Sequence, residues 1–212
     1  MRLLPEDGDA ITTATAQLSR SLILVGTPNV GKSALFGALT GRYATVSNYP
    51  GTTVETMRAG ARLAGRDWDV IDTPGTDSLL PASEDARVTR DILLHRPGAT
   101  VLLVCDAKNL RRGLLLLAQL AETEAPVVLA LNMSDEAAAR GIHIDAIGLS
   151  RALGIPVIET VATRKQGMAL LAPALAQAGV PRLRAGYGPV LERAIAQPSG
   201  SCRGAAGWRH AR

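Results

Sequence analysis

Residues 21–33 read SLILVGTPNVGKS. The apolar run 21–26 ends in glycine and has the length and Leu/Ile/Val content of a buried strand, while residues 31–39 carry apolar side chains at helical spacing. Between them, Gly26-Thr27-Pro28-Asn29-Val30-Gly31-Lys32-Ser33 satisfies G-x-x-x-x-G-K-[ST]. At a strand-to-helix junction this pattern is a phosphate-binding loop. Its backbone N–H groups and the helix N-terminus face phosphate oxygens, Lys32 neutralises the β/γ oxygens, and the Ser33 hydroxyl can ligate Mg²⁺. The nucleotide-contacting set in this segment is Gly26, Asn29, Val30, Gly31, Lys32, Ser33 and Ala34.

Outward from this loop the same alternation recurs. Residues 68–72 (WDVID), 100–106 (TVLLVCD), 126–132 (PVVLALN) and 155–160 (IPVIET) read as buried strands, and 83–94, 110–122, 146–153 and 168–178 as helices. Residues 53–64 add an edge strand that hairpins into 68–72 through 64–67. Strands alternating with helices predict an α/β domain over residues 21–180, a mostly parallel six-stranded sheet with helices on both faces. Residues 1–20 read as a loose leader, and 181–212 as a short helix at 189–197 followed by an Arg/Gly-rich tail.

Composition excludes several classes. Of 23 basic residues, six arginines (Arg182, Arg184, Arg193, Arg203, Arg209 and Arg212) stand after residue 181 beside a single acid, Glu192, which leaves 17 basic against 18 acidic residues before them. The basic excess therefore belongs to the tail, and with only six aromatic residues a base-stacking nucleic-acid surface is not expected. Cys105 and Cys202 have no metal-ligand spacing, and Cys105, inside a strand, reads as a small core residue. His95, His143 and His210 are isolated and read as surface positions. Apolar stretches such as 114–118 and 127–131 fall far short of the ~20 residues that span a bilayer.

Two further motifs end strands. In Asp72-Thr73-Pro74-Gly75 a carboxylate can hold Mg²⁺ through water and the Gly75 N–H can meet a γ-phosphate. In Asn132-Met133-Ser134-Asp135 the Asp135 carboxylate can accept from both N1–H and the 2-amino group of guanine, which adenine cannot satisfy; such a site rejects the analogue by a factor of ~10⁴. Ser134 or Asp135 can equally cap the amphipathic stretch that follows. In this order the three motifs describe a Ras-like P-loop GTPase domain binding GTP or GDP with Mg²⁺. Thr76 stands where such enzymes orient water with a glutamine, so hydrolysis is expected to be slow or backbone-assisted. Asp77 reads as solvated.

Four segments also resemble a particular family, the cytosolic G domain of the bacterial ferrous iron transporter FeoB. They are residues 46–55 (VSNYPGTTVE), 72–79 (DTPGTDSL), 106–112 (DAKNLRR) with the Leu-rich stretch after it, and 130–133 (ALNM), with Met where most GTPases carry Lys. The resemblance runs from about residue 22 to 178. It implies that Thr53 closes with Ser33 and Asp72 on Mg²⁺, and that Ala162 lies at the loop touching guanine beside Val161, which replaces the family's usual Ser. Asn29 matches an Asn that in related potassium-activated GTPases helps hold K⁺, although a turn residue is the alternative there. Catalysis would then rest on Lys32, Thr53, Gly75 and Asn29.

The expected function is a slow GTP-hydrolysing switch, with switches at 43–55 and 73–85, serving Fe²⁺ transport at the cytoplasmic face of the inner membrane. Its partner would be a membrane permease domain or subunit. Two alternatives stand beside it: a nucleotide-dependent interaction module with little hydrolysis, and a soluble RNA- or ribosome-associated GTPase, which only the Arg-rich tail supports.

Overall fold

A computed structural model describes residues 20–41 and 44–183. The expected leader, the start of the first switch at Tyr43, the 189–197 helix and the Arg-rich end lie outside the described residues, as do Cys202 and His210.

Seven strands form one sheet: β1 (Arg20–Gly26), β2 (Thr45–Asn48), β3 (Glu55–Leu63), β4 (Arg66–Asp72), β5 (Thr100–Asp106), β6 (Val127–Asn132) and β7 (Val157–Glu159). Their order across the sheet is β2-β3-β4-β1-β5-β6-β7, parallel from β4 to β7 and antiparallel at β2 and β3. The helices are α1 (Lys32–Thr40), α2 (Glu84–Leu94), α3 (Leu110–Ala121), α4 (Ser134–Ala139), α5 (Ala146–Leu153) and α6 (Met168–Ala176). Among the described residues no helix is long and apolar enough to cross a membrane.

The expected sheet had six strands; β2 is the seventh. Thr45–Asn48 is exposed at all four positions and pairs antiparallel with β3, from Thr45↔Arg58 to Asn48↔Glu55, with the Thr56 hydroxyl also donating to the Ser47 carbonyl at 3.2 Å. A strand that buries no face leaves no apolar alternation to read. For the same reason the expected edge strand 53–64 is not an edge: it begins at Glu55 and lies between β2 and β4. The hairpin to β4 turns on two residues, Ala64 and Gly65, both at positive φ (48° and 73°), as a tight turn matching strand twist requires.

The central strands are buried on both faces, and alternate residues feed two cores. Ile23, Val25, Val101, Leu103 and Leu129 pack with Val88 and Ile92 of α2 and with Leu116, Leu117 and Leu120 of α3. Leu22, Leu24, Leu102, Val104 and Val128 pack with Leu35 and Phe36 of α1 and with Leu171 and Leu175 of α6. Because the chain runs from β1 out to β2, returns through β3 to β4 on one side of β1, and then crosses to β5 on its other side, the sheet's direction of growth reverses at β1. In an open α/β sheet such a reversal makes a ligand crevice.

Cys105 is the core residue expected: burial, reinforced by Asp106, pushes its thiol up to about 12, which disfavours the thiolate. It faces Gly113 of α3, where a Cβ would come within 2.8 Å of the Cys105 Cβ and closer still to its sulfur. Gly113→Ala gains about 1 kcal/mol of helix propensity but overpacks the α3–β5 contact at a cost of about 1–3 kcal/mol. Chemical denaturation of that variant is expected to show a net loss of stability.

Candidate nucleotide site

The three motifs meet at the C-terminal ends of β1, β4 and β6. Lys32, 9% exposed, donates from Nζ to Asp72 Oδ1 at 2.7 Å and to the Thr73 carbonyl. Ser33 donates its hydroxyl to Asp72 Oδ2 at 2.8 Å. Both oxygens of one 3%-exposed carboxylate are thus held by consecutive phosphate-loop residues. Removing one partner of so buried a pair would strand the other charge, at a cost of about 3–5 kcal/mol.

The segment after Asp72 lies against the same loop. Thr73 Oγ1 donates to the Leu24 carbonyl at 2.8 Å, and the Thr76 N–H to the Gly26 carbonyl at 3.0 Å. Gly75 crosses Pro28 so closely that a Cβ would lie 3.0 Å from the Pro28 Cα. Asn29 and Gly31 both take left-handed backbone, φ 64° and 80°, which turns the loop into the start of α1. Val30 is buried, whereas Asn29 of the loop and Ser33 and Ala34 in the first turn of α1 are exposed.

Asn132 joins this half to the other. Its Nδ2 donates to the Val30 carbonyl at 2.8 Å, and its Oδ1 accepts from Thr160 Oγ1 at 3.2 Å and from the Ala162 N–H at 3.0 Å. Any side chain at position 31 would run into this carboxamide, so Gly31 is required by close approach as well as by its φ. Ser134 donates both its N–H and its hydroxyl to the Thr160 carbonyl, at 3.3 and 3.2 Å. The buried Val161–Ala162 segment is therefore held beside the start of α4.

Asp135 stands in the first turn of α4, accepting from the Glu136 N–H at 2.9 Å and lying 3.4 Å from Arg164 Nη1. The capping alternative for Ser134 or Asp135 is corrected. The residue before α4 is Met133, in left-handed conformation at φ 60°, and no side chain caps the helix. The Met133 sulfur lies 3.3 Å from Lys108 Nζ, which also pairs with Glu136 at 2.5 Å and with Asp106 at 3.6 Å. Lys108, Thr160, Thr73 and Arg164 carry contacts at the site that sequence reasoning did not assign. The only local signals were position: Lys108 in the DAKN stretch, and Thr160 directly before Val161.

Two expected residues are not brought into this network. Thr53 is exposed and makes no side-chain hydrogen bond to the described residues; its neighbour Thr52 closes the turn instead, donating to the Tyr49 carbonyl at 3.0 Å and accepting from the Val54 N–H at 3.2 Å. Asn29 likewise makes none. Asp77 is solvated as expected, in an exposed pair with Arg112 at 2.7 Å, and His95 and His143 are exposed. Among the described residues no cluster of His, Cys, Asp and Glu could hold a metal.

Residues 20–175 match the family model for ferrous iron transport protein B. The chain belongs to this family. It is 37% identical over 175 residues to an Fe(2+) transporter FeoB of Staphylococcus aureus, covering 81% of this chain and 26% of that protein. The G domain of Thermotoga maritima FeoB matches with a TM-score of 0.70 at 39% identity, over 74% of this chain and 97% of that one. The T. maritima cytosolic domain in its GMPPNP form matches with a TM-score of 0.78 at 38% identity, over 83% and 71%. The chain is thus similar to a nearly whole G domain while spanning about a quarter of the length of the curated relatives it matches.

Asn132→Ala removes three buried hydrogen bonds and leaves their partners unsatisfied, at about 1–3 kcal/mol each before relaxation. Thermal unfolding without any nucleotide is expected to show a clear drop in Tm.

Proposed function

We propose that this chain is a GTP-binding switch domain that hydrolyses GTP to GDP and phosphate slowly, and that it serves Fe²⁺ transport. The observation that carries the reading is the Asn132 carboxamide, which locks a phosphate loop and a base-side loop into one crevice with Asp135 beside it. The GMPPNP form of a relative of the same fold supports it.

Lys32 would leave Asp72 and Thr73 to meet the β/γ oxygens, exchanging one anionic partner for another. Ser33 and Asp72, two hard oxygen donors already 2.8 Å apart, fit Mg²⁺, with Thr53 brought in as the first switch closes. The bound Mg²⁺ would neutralise charge on the transferring phosphoryl group. Gly26, Val30, Gly31 and Ala34 would offer backbone N–H groups to the phosphates, and Gly75 to the γ-phosphate. Asp135 would accept from the guanine edge, with Met133, Val161 and Ala162 forming the walls of the base site. Asn29 would help hold K⁺ beside the phosphates. The Thr76 hydroxyl donates to the Ser78 carbonyl at 2.6 Å and so is turned away from orienting water, which favours slow, backbone-assisted turnover.

The proposed partner is the membrane permease portion of the transporter, with the chain at the cytoplasmic face of the inner membrane. Nucleic acid is not a proposed partner.

Single-turnover hydrolysis with Mg²⁺, in KCl and in NaCl at equal ionic strength, tests the reading. Potassium-stimulated hydrolysis abolished in Lys32→Ala is expected; tight GTP binding without hydrolysis in either salt would favour an interaction module instead. Asp135→Asn is expected to shift preference from guanine to xanthine nucleotides, and unchanged GTP affinity in that variant would remove Asp135 from the base site.

A further inference from the structure

The second switch is anchored on two sides, and only one belongs to the crevice described above. Towards the phosphate loop the anchors are Thr73 on Leu24, Thr76 on Gly26 and Gly75 against Pro28. On the far side stands α3. Gln119 turns its carboxamide oxygen to the switch and accepts two hydrogen bonds, from the Leu79 N–H at 2.6 Å and from Ser78 Oγ at 3.1 Å. The Ser78 hydroxyl in turn accepts from the Leu80 N–H at 3.1 Å.

This contact reaches the reacting end of the loop. The Thr76 hydroxyl donates to the Ser78 carbonyl at 2.6 Å and accepts from the Ser78 N–H at 3.3 Å, so residues 76–78 form one tied turn. Leu79, 8% exposed, sits in the core with Val88 and Ile92. Arg112, two turns before Gln119 on the same helical face, pairs with Asp77 at 2.7 Å, but both side chains are more than half exposed and solvent screens the pair. Gln119 is the partly buried anchor, and none of the phosphate, magnesium or base motifs contains it.

We propose that Gln119 is a positioning residue for the γ-phosphate: its carbonyl oxygen fixes Ser78 and Leu79, and through the 76–78 turn it holds in place the Pro74–Gly75 peptide, whose Gly75 N–H would meet the γ-phosphate. The inference rests on the chain being a GTP-binding switch. Because the Thr76 side chain is occupied, contact with the γ-phosphate falls to backbone N–H groups, and a peptide is only as well placed as the loop that carries it. Loss of an anchor raises the entropic cost of ordering that loop when triphosphate binds. A diphosphate makes no such demand.

Gln119→Leu removes the acceptor at nearly constant volume, while Gln119→Glu keeps oxygens able to accept both bonds. Fluorescent GDP and GMPPNP are titrated, with Mg²⁺, against the wild-type chain and both variants. The expected result is a loss of about tenfold in GMPPNP affinity for Gln119→Leu, unchanged GDP affinity, and recovery in Gln119→Glu. Should Gln119→Leu fail to melt cooperatively, Ser78→Ala, which deletes one of the two bonds from the switch side, replaces it with the same expected direction. Equal weakening of both nucleotides, no change with either, or no recovery in the Glu variant would each overturn the proposal. A wild-type chain that binds neither nucleotide would overturn the GTP reading and this one with it, whereas wild-type binding with no selective loss in the variant overturns the positioning role alone.

Discussion

The Asn132 carboxamide holds together loops that the chain separates widely, since its bond to Val30 spans 102 residues of sequence. It comes from the last residue of β6, at the sheet's C-terminal edge, where the chain must leave the ladder and a side chain can turn sideways. One amide group donates to the phosphate loop and accepts from both Thr160 and Ala162. Because Asn132 and its partners Val30, Thr160 and Ala162 are buried, an unmade bond among them is not repaid by water, so the loops they join keep one mutual geometry. Ala162 is tied to this group, and Gly31 is constrained by its close approach as well as by its own positive φ.

The second organising element is the Asp72 carboxylate. Lys32 and Ser33 each hold one of its oxygens, and the Lys32 charge is thereby kept where an anionic ligand would take it over. A buried ion pair of this kind is weak evidence for stability but strong evidence for a designated place of charge. Its neighbours, Thr73 on Leu24 and Gly75 on Pro28, bind the second switch to the phosphate loop. The buried charge of the phosphate loop, the geometry of the Val161–Ala162 segment and the position of the segment after Asp72 are thus three consequences of side chains at the ends of β1, β4 and β6.

Much of this was legible in the residues. The phosphate loop, the parallel strands and the order of the Asp72 and Asn132 motifs follow from local pattern, because buried parallel strands announce themselves as apolar runs and the loop chemistry admits few residue types. β2 was not legible: its four residues are exposed, and its register comes from β3. Nor were Thr160, Lys108 and Gln119, whose roles depend on partners 28, 25 and 40 residues away across the fold rather than on periodicity. Thr53 shows the converse. Its assigned role requires the first switch to close, while the local hydrogen bonds of the Tyr49–Val54 turn are made by Thr52.

Asn132 binds the phosphate loop to the Thr160–Ala162 segment, so that the two respond as one unit. Amide hydrogen exchange with and without GDP tests it most directly. GDP is expected to slow exchange across residues 26–33, 132–135 and 160–164 together, and Asn132→Ala to uncouple the last segment from the first. Protection confined to 26–33, or coordinated protection that survives in Asn132→Ala, would contradict it.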